Sequence, residues 1–254
     1  MFCGSQGRTA SPVRHNVGTP LFIPLRDENS LKSIPFQYVT VLLIAINVLV
    51  FILEVSGLDD GAVASFGLTP RELFGSGLLS GPSPLADDGF PIAERTTLVT
   101  YMFFHADIFH LVGNMLFLWV FGDNVEDAMG HVRFLFFYLA CGIFAGVFHA
   151  WMVPDSDLPL IGASGAVAGV IAAYLMLHPR VGVWVLAFKI IPLRISAGLV
   201  LGLWIVMQVV MIALADTGPI AWWAHIGGLI AGAVLIVFLR RPGVPLFDRG
   251  ASLA

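Results

Sequence analysis

The chain reads as an all-α polytopic membrane protein, a bundle of six transmembrane helices. Three observations lead there. Of 254 residues, 57% are hydrophobic and only 12% charged, against roughly 45–50% and about 25% in ordinary soluble domains. The mean hydropathy is +0.88. And the apolar residues are gathered into runs of about twenty, the length that carries a helix across roughly 30 Å of hydrocarbon. The same figures exclude intrinsic disorder, which needs low hydrophobicity and high charge. With only Cys3 and Cys141 there is no disulfide scaffold. A net charge of −4 argues against a nucleic-acid partner.

Residues 1–33 lack the charged start, apolar centre and cleavage site of a signal peptide and read as a short, loose cytoplasmic tail. The first span is Phe36 to Val55. Residues 57–97 form one long outer loop, rich in Gly, Pro and Ser up to Glu94. The second span lies between Leu98 and Phe121 and carries His105, Asp107, His110 and Asn114. The third runs from Arg133 to Val153. The fourth, Leu160 to Leu177, opens on the small residues Gly162-Ala163-Ser164-Gly165. Val183 to Leu193 is apolar but too short to cross, and reads as a membrane-surface or re-entrant loop. The fifth span is Ile195 to Ala215, and the sixth, Ala221 to Leu239, stops at Arg240-Arg241-Pro242. The six-helix domain therefore covers 34–240, and 241–254 is a second cytoplasmic tail.

Basic residues orient the bundle. With both termini inside, eleven Lys and Arg face the cytoplasm and only Arg71 and Arg95 face outward. The reading is a multi-pass protein of the cell (inner) membrane with cytoplasmic termini.

Polar side chains inside spans are costly, and by default suggest function. His110 and Asn114, four apart, share a helix face and can donate hydrogen bonds as an oxyanion site requires; taken alone they are equally a pair bonding a neighbouring helix. Ser164 sits near the start of a helix, where backbone N–H groups lack partners and can face an oxyanion. The surrounding Gly and Ala are, taken alone, most often a packing face. In the sixth span, Gly228 and Gly232 form a Gly-x-x-x-Gly face shared by His225, a residue that could also be a structural hydrogen bonder. All these groups lie at one shallow depth, near the outer starts of the three even-numbered spans. Together they offer a nucleophile, a base and oxyanion donors where water can reach.

The stretches His105-x4-His110-x3-Asn114, Gly162-Ala163-Ser164-Gly165 and Ala224-His225-x2-Gly228-x3-Gly232 resemble those of the rhomboid intramembrane serine proteases, in order, spacing and helix assignment. The resemblance covers the six-span core from about Phe36 to Leu239. It implies cleavage of membrane-anchored protein substrates in or near their transmembrane segment, by a Ser–His dyad with no metal or cofactor. By position, Ser164 would be the nucleophile and His225 the general base. His110, Asn114 and the Ser164 backbone N–H would form the oxyanion hole. His105, Gly162, Gly165, Gly228 and Gly232 would be supporting residues, and Glu126 a structural one tying the second inner loop. The partners implied are transmembrane proteins and the lipid bilayer; oligomeric state is not readable.

Two positions depart from the family pattern. Thr96 and Thr97 stand where many members carry Trp-Arg. Ala168 replaces a tyrosine that often stacks on the catalytic histidine, so another ring, Trp222 or Trp223, would have to orient His225. Three other readings compete: a zinc site, which lacks His-Glu-x-x-His; a proton or solute transporter relaying through Asp107 and the histidines, against which the polar groups gather in one shallow layer and the odd-numbered spans contribute no midplane charge, Gln208 being the only strongly polar side chain near the middle of span five; and a catalytically silent adaptor that binds transmembrane segments.

Overall fold

A computed structural model of the chain describes residues 22–57, 60–75, 90, 92–187, 190–214 and 220–248. Six apolar helices form its body: α1 (Tyr38–Gly57), α5 (Ile108–Met129), α6 (His131–Met152), α7 (Ser164–Leu177), α8 (Ala197–Ala213) and α9 (Trp222–Leu239). Short helices α2 (Asp60–Phe66), α3 (Pro70–Gly75) and α4 (Glu94–Thr100) lie between α1 and α5. Among the described residues, four helices are long and apolar enough to cross a membrane: α1, α5, α6 and α9. The 14-residue α7 and 17-residue α8 are shorter; α7 rises only about 21 Å.

The reason α7 can be short is its place. It packs against α5, α6 and α9, and every residue from Gly165 to Tyr174 is buried. The outer helices instead turn large apolar side chains outward, among them Leu49 and Ile52 of α1, Leu203 and Val206 of α8, and Val234 and Phe238 of α9. Such outward apolar side chains suit a lipid surround, in which a helix satisfies its own backbone.

Helix boundaries follow from capping chemistry. The predicted second span is interrupted: α4 continues into a 3-10 turn, Tyr101–Phe103, and the chain runs extended at Phe104. Helix α5 starts at Ile108 because Asp107 caps it, accepting from the N–H groups of Phe109 (2.7 Å) and His110 (2.8 Å). The span therefore begins ten residues later than hydropathy alone suggests, and His105 lies before it. Gly130, at φ +85°, separates α5 from α6; a Cβ there would meet the Arg241 guanidinium at 2.8 Å.

The purely helical reading needs one correction. Val183 to Leu193 is not a re-entrant loop. Strands β2 (Gly182–Ala187) and β3 (Ile191–Ser196) form an antiparallel hairpin, and β1 (Phe22–Asp27) joins it in the order β1-β2-β3. Val183, Val185 and Ala187 point inward with the period of two that marks a half-buried strand. On the other face Glu28 accepts from Arg194 through Nε (2.7 Å) and Nη2, and from Trp184 Nε1 at 3.1 Å.

The segment read as a loose tail is docked from Phe22 onward. Asp127 accepts from the backbone N–H groups of Lys32, Ser33 and Ile34, and Tyr174 donates to Asp27 at 2.6 Å. Burial holds the Asp27 carboxyl above the usual range despite that bond. At the other terminus, the N–H of Asp248 reaches the Leu177 carbonyl at 3.0 Å. Glu126, fully buried, accepts from Val39 N, Thr40 N and Thr40 Oγ1 at 2.7–3.0 Å, and is paired with His131. It thus fastens the start of α1 to the α5–α6 turn rather than tying the loop expected from sequence.

Candidate active site

Helices α7 and α9 cross with almost nothing between them. A Cβ added at Gly228 would run into the carbonyl oxygen of Gly165, and one at Gly232 into that of Gly169. Only glycine permits this approach. A Cβ at Gly165 would lie 2.7 Å from Ala145 Cβ and 3.6 Å from the Ala224 carbonyl oxygen, so a third helix, α6, closes on the same point. Ser164 and His225 are the chain neighbours of the Gly165–Ala224 contact. Both stand at the same end of their helices: Ser164 is the first residue of α7, His225 the fourth of α9. Among the described residues no hydrogen bond joins their side chains.

The turn before α7 gathers backbone donors at the helix start. Val167 N–H is the first to bond back, to the Ala163 carbonyl at 3.0 Å. The N–H groups of Ser164, Gly165 and Ala166 therefore have no intrahelical acceptor, as at every helix start. Gly162 precedes them at φ +114°. A Cβ on it would lie 2.6 Å from His110 Cε1, 2.8 Å from His110 Nε2 and 3.8 Å from Asn114 Nδ2. So both predicted oxyanion donors border the Ser164 turn. Asn114 Nδ2 spends one hydrogen on the His110 carbonyl at 3.1 Å, leaving its second for another acceptor.

The turn is braced from outside. Leu68 and Leu160 exchange backbone hydrogen bonds at 3.0 and 2.8 Å, and Arg71 donates to Asp157 Oδ2 at 2.7 Å and to the Asp155 carbonyl at 2.5 Å. Gly162 N–H donates to the Tyr101 carbonyl at 2.9 Å. The described part of the long loop between α1 and α4 therefore holds the strand of chain that leads into Ser164, a role its composition did not disclose.

His105 is buried, with its ring 5.1 Å from that of His110 in an edge-to-face arrangement. Its Nδ1 faces the Phe103 carbonyl at 3.3 Å, and its backbone N–H reaches Glu54 at 3.4 Å. It thus packs against the His110 ring. A cavity of about 740 Å³, lined by Glu54, Phe51, Ala62, His105, Asp107 and Ile161, lies beside this residue rather than on the Ser164–His225 pair. Asp107, a candidate proton relay in the transporter reading, is occupied as the α5 cap. Among the described residues no three His, Cys, Asp or Glu side chains converge as a metal site needs.

Of the two rings expected beside His225, Trp222 is there, edge-to-face at 6.1 Å, while Trp223 packs on Phe148; Trp204 of α8, at 5.7 Å, is a neighbour the sequence did not single out. And His225 Nδ1 lies 2.7 Å from Gln208 Oε1, a buried contact from α8. The only sequence signal for that role was a strongly polar side chain isolated within an apolar span.

The arrangement defines a class: a polytopic helical membrane protein whose serine and histidine share one end of two tightly crossed helices, with amide and imidazole donors beside them. The Rhomboid domain family model matches residues 93–242, well over half of the chain, and the chain belongs to the rhomboid family. It is similar to RHOMBOID-like protein 12, mitochondrial, of Arabidopsis thaliana, at 29% identity over 170 residues, 61% of this chain and 49% of that protein. Rhomboid-like protein 11, chloroplastic, of the same plant is 30% identical over 155 residues, covering 56% and 52%. The human presenilin-associated rhomboid-like protein, mitochondrial, is 29% identical over 145 residues, covering 54% and 36%. The chain spans about half the length, or less, of these curated relatives.

Proposed function

We propose that the protein is an intramembrane serine endopeptidase that cleaves membrane-anchored proteins in or near their transmembrane segment. The observation that carries this reading is the glycine-only crossing of α7 and α9 beside Ser164 and His225, with His110 and Asn114 packed against Gly162. Ser164 Oγ attacks the scissile carbonyl carbon while His225 takes its proton. The carbonyl oxygen becomes an oxyanion, held by the Ser164 N–H, Asn114 Nδ2 and His110. Collapse expels the amine, which takes the proton from His225 and leaves an acyl-serine. Water then enters, gives a proton to His225, and releases the acid as the proton returns to Ser164. No metal or cofactor takes part.

In the membrane, the 14-residue α7 and 17-residue α8 join the four longer helices as spans shorter than the usual ~20 residues, giving six. The bias of eleven basic residues against two supports a cell-membrane protein with cytoplasmic termini and the site open to the outer face.

A fluorophosphonate that reacts with activated serines tests the reading. Purified protein in detergent is expected to be labelled, and Ser164→Ala and His225→Ala are expected to lose the label. A folded wild-type protein that resists labelling, or equal labelling of Ser164→Ala, overturns the dyad and leaves the silent-adaptor reading.

A further inference from the structure

The hydrogen-bond chain behind His225 has a direction that its chemistry dictates. Gln208 is 1% exposed, so its amide must be satisfied within the protein. Nε2 donates to the Trp204 carbonyl one helical turn earlier, at 3.2 Å. A carbonyl can only accept, so the amide nitrogen belongs on that side and Oε1 is turned towards His225, 2.7 Å from its Nδ1. Oε1 in turn can only accept, so Nδ1 must carry the ring proton. A neutral imidazole has one such proton, and Nε2 is left with its lone pair.

We infer that Gln208 is a positioning residue that holds His225 in the Nδ1-protonated tautomer, with Nε2 free to act as base. This rests on the dyad reading above and supplies the orienting third group that a nucleophile–base pair requires. The amide differs from a carboxylate in the same place: it fixes tautomer and orientation but adds no charge to favour the imidazolium. The Trp204 and Trp222 rings limit rotation of the imidazole; they carry no acceptor, so they cannot choose between its nitrogens. Among the described residues, the other titratable groups that bear on the ring are His110 of α5 and His149 of α6, and neither is an anion.

The experiment compares Gln208→Leu, Gln208→Met and Gln208→Glu with wild type, all checked for folding by thermal unfolding in detergent. Its first readout is the ¹⁵N NMR signature of the His225 ring, recorded in a Ser164→Ala background so that it does not depend on catalysis. A single Nδ1-protonated tautomer is expected with Gln208, and a mixture with Leu or Met. The second readout is kinetic. Gln208→Leu is expected to lower kcat about tenfold with KM little changed, the value of one net hydrogen bond. Gln208→Glu keeps the acceptor, retains most activity, and moves the acid limb of the pH profile to higher pH because a carboxylate favours the imidazolium. If the tautomer is unchanged in folded Gln208→Leu, or if Gln208→Glu leaves the pH profile in place, Gln208 only satisfies its own helix and the inference is wrong. A wild type inert to fluorophosphonate but with the expected NMR result would instead sink the protease reading and leave the Gln208–His225 bond standing.

Discussion

Gly162→Ala puts the geometry of the Ser164 turn under direct strain. The new Cβ would stand 2.6 Å from His110 Cε1 and 2.8 Å from Nε2. Carbon atoms in contact keep about 3.5 Å apart, so Gly162 and His110 must separate by roughly 0.9 Å. Neither side yields freely. His110 sits in the first turn of α5, which Asp107 caps, and Gly162 is tied to Tyr101 by its N–H. The φ of +114° adds a second cost, because only glycine is comfortable there; side-chain residues in such regions cost about 1–3 kcal/mol. A displacement near 1 Å at reacting groups lowers rates by about 10²-fold. The expectation is turnover and fluorophosphonate labelling down by about that factor, with a stability loss of about 1–3 kcal/mol in thermal unfolding. Gly113→Ala is the internal control. It lies on the same helix with nothing within 4 Å of its Cβ position, and should be neutral or slightly stabilising. Labelling of Gly162→Ala at the wild-type rate, with an unchanged unfolding midpoint, would refute the placement of His110 against the Ser164 turn.

Three further outcomes are expected. Asn114→Ala should reduce turnover by about 10²–10³ while substrate binding holds, as for the loss of an oxyanion donor; unchanged turnover removes Asn114 from that role. Glu126→Ala strips the acceptor from Val39 N, Thr40 N and Thr40 Oγ1. At about 1–3 kcal/mol per orphaned buried donor it should lower the unfolding temperature sharply, and Glu126→Gln less; a wild-type melt in Glu126→Ala contradicts the account of how α1 is anchored. Arg194 holds the Glu28 carboxyl below its usual range. A depressed carboxyl stabilises above its ordinary pKa and loses that contribution as pH falls through the folded value. Stability should therefore drop modestly on acidification below about pH 4.5, the region of the ordinary glutamate pKa. Arg194→Gln should flatten that limb, and an identical pH dependence in both proteins would exclude the pair as its source.

How much could be read beforehand differs by element. Long apolar runs made α1, α6, α8 and α9 legible to within a few residues, since the cost of exposing backbone to lipid leaves helix as the local solution. The start of α5 is set by the Asp107 cap, which an apolar window starting at Leu98 does not register. The β2–β3 hairpin is hidden for a related reason. Averaged hydropathy sees Val183 to Leu193 as an apolar block, whereas Val183, Val185 and Ala187 alternate with the other face. The docking of residues 22–34 had no local signal at all: Asp127 and Tyr174, which hold it, are about a hundred residues or more away in sequence.

The same division applies to the site. Ser164, His225, His110 and Asn114 stood out because ionisable and polar groups within apolar spans are expensive, and that expense is a local property. Glycine spacing likewise signalled that α9 approaches a neighbour closely. Which neighbour, and at what register, is a matter of surfaces meeting in three dimensions: Gly228 over Gly165, Gly232 over Gly169. So is the role of Gln208. Its isolation in span five was visible in the chain, but an amide names no partner, and only the packing of α8 against α9 turned its oxygen to His225.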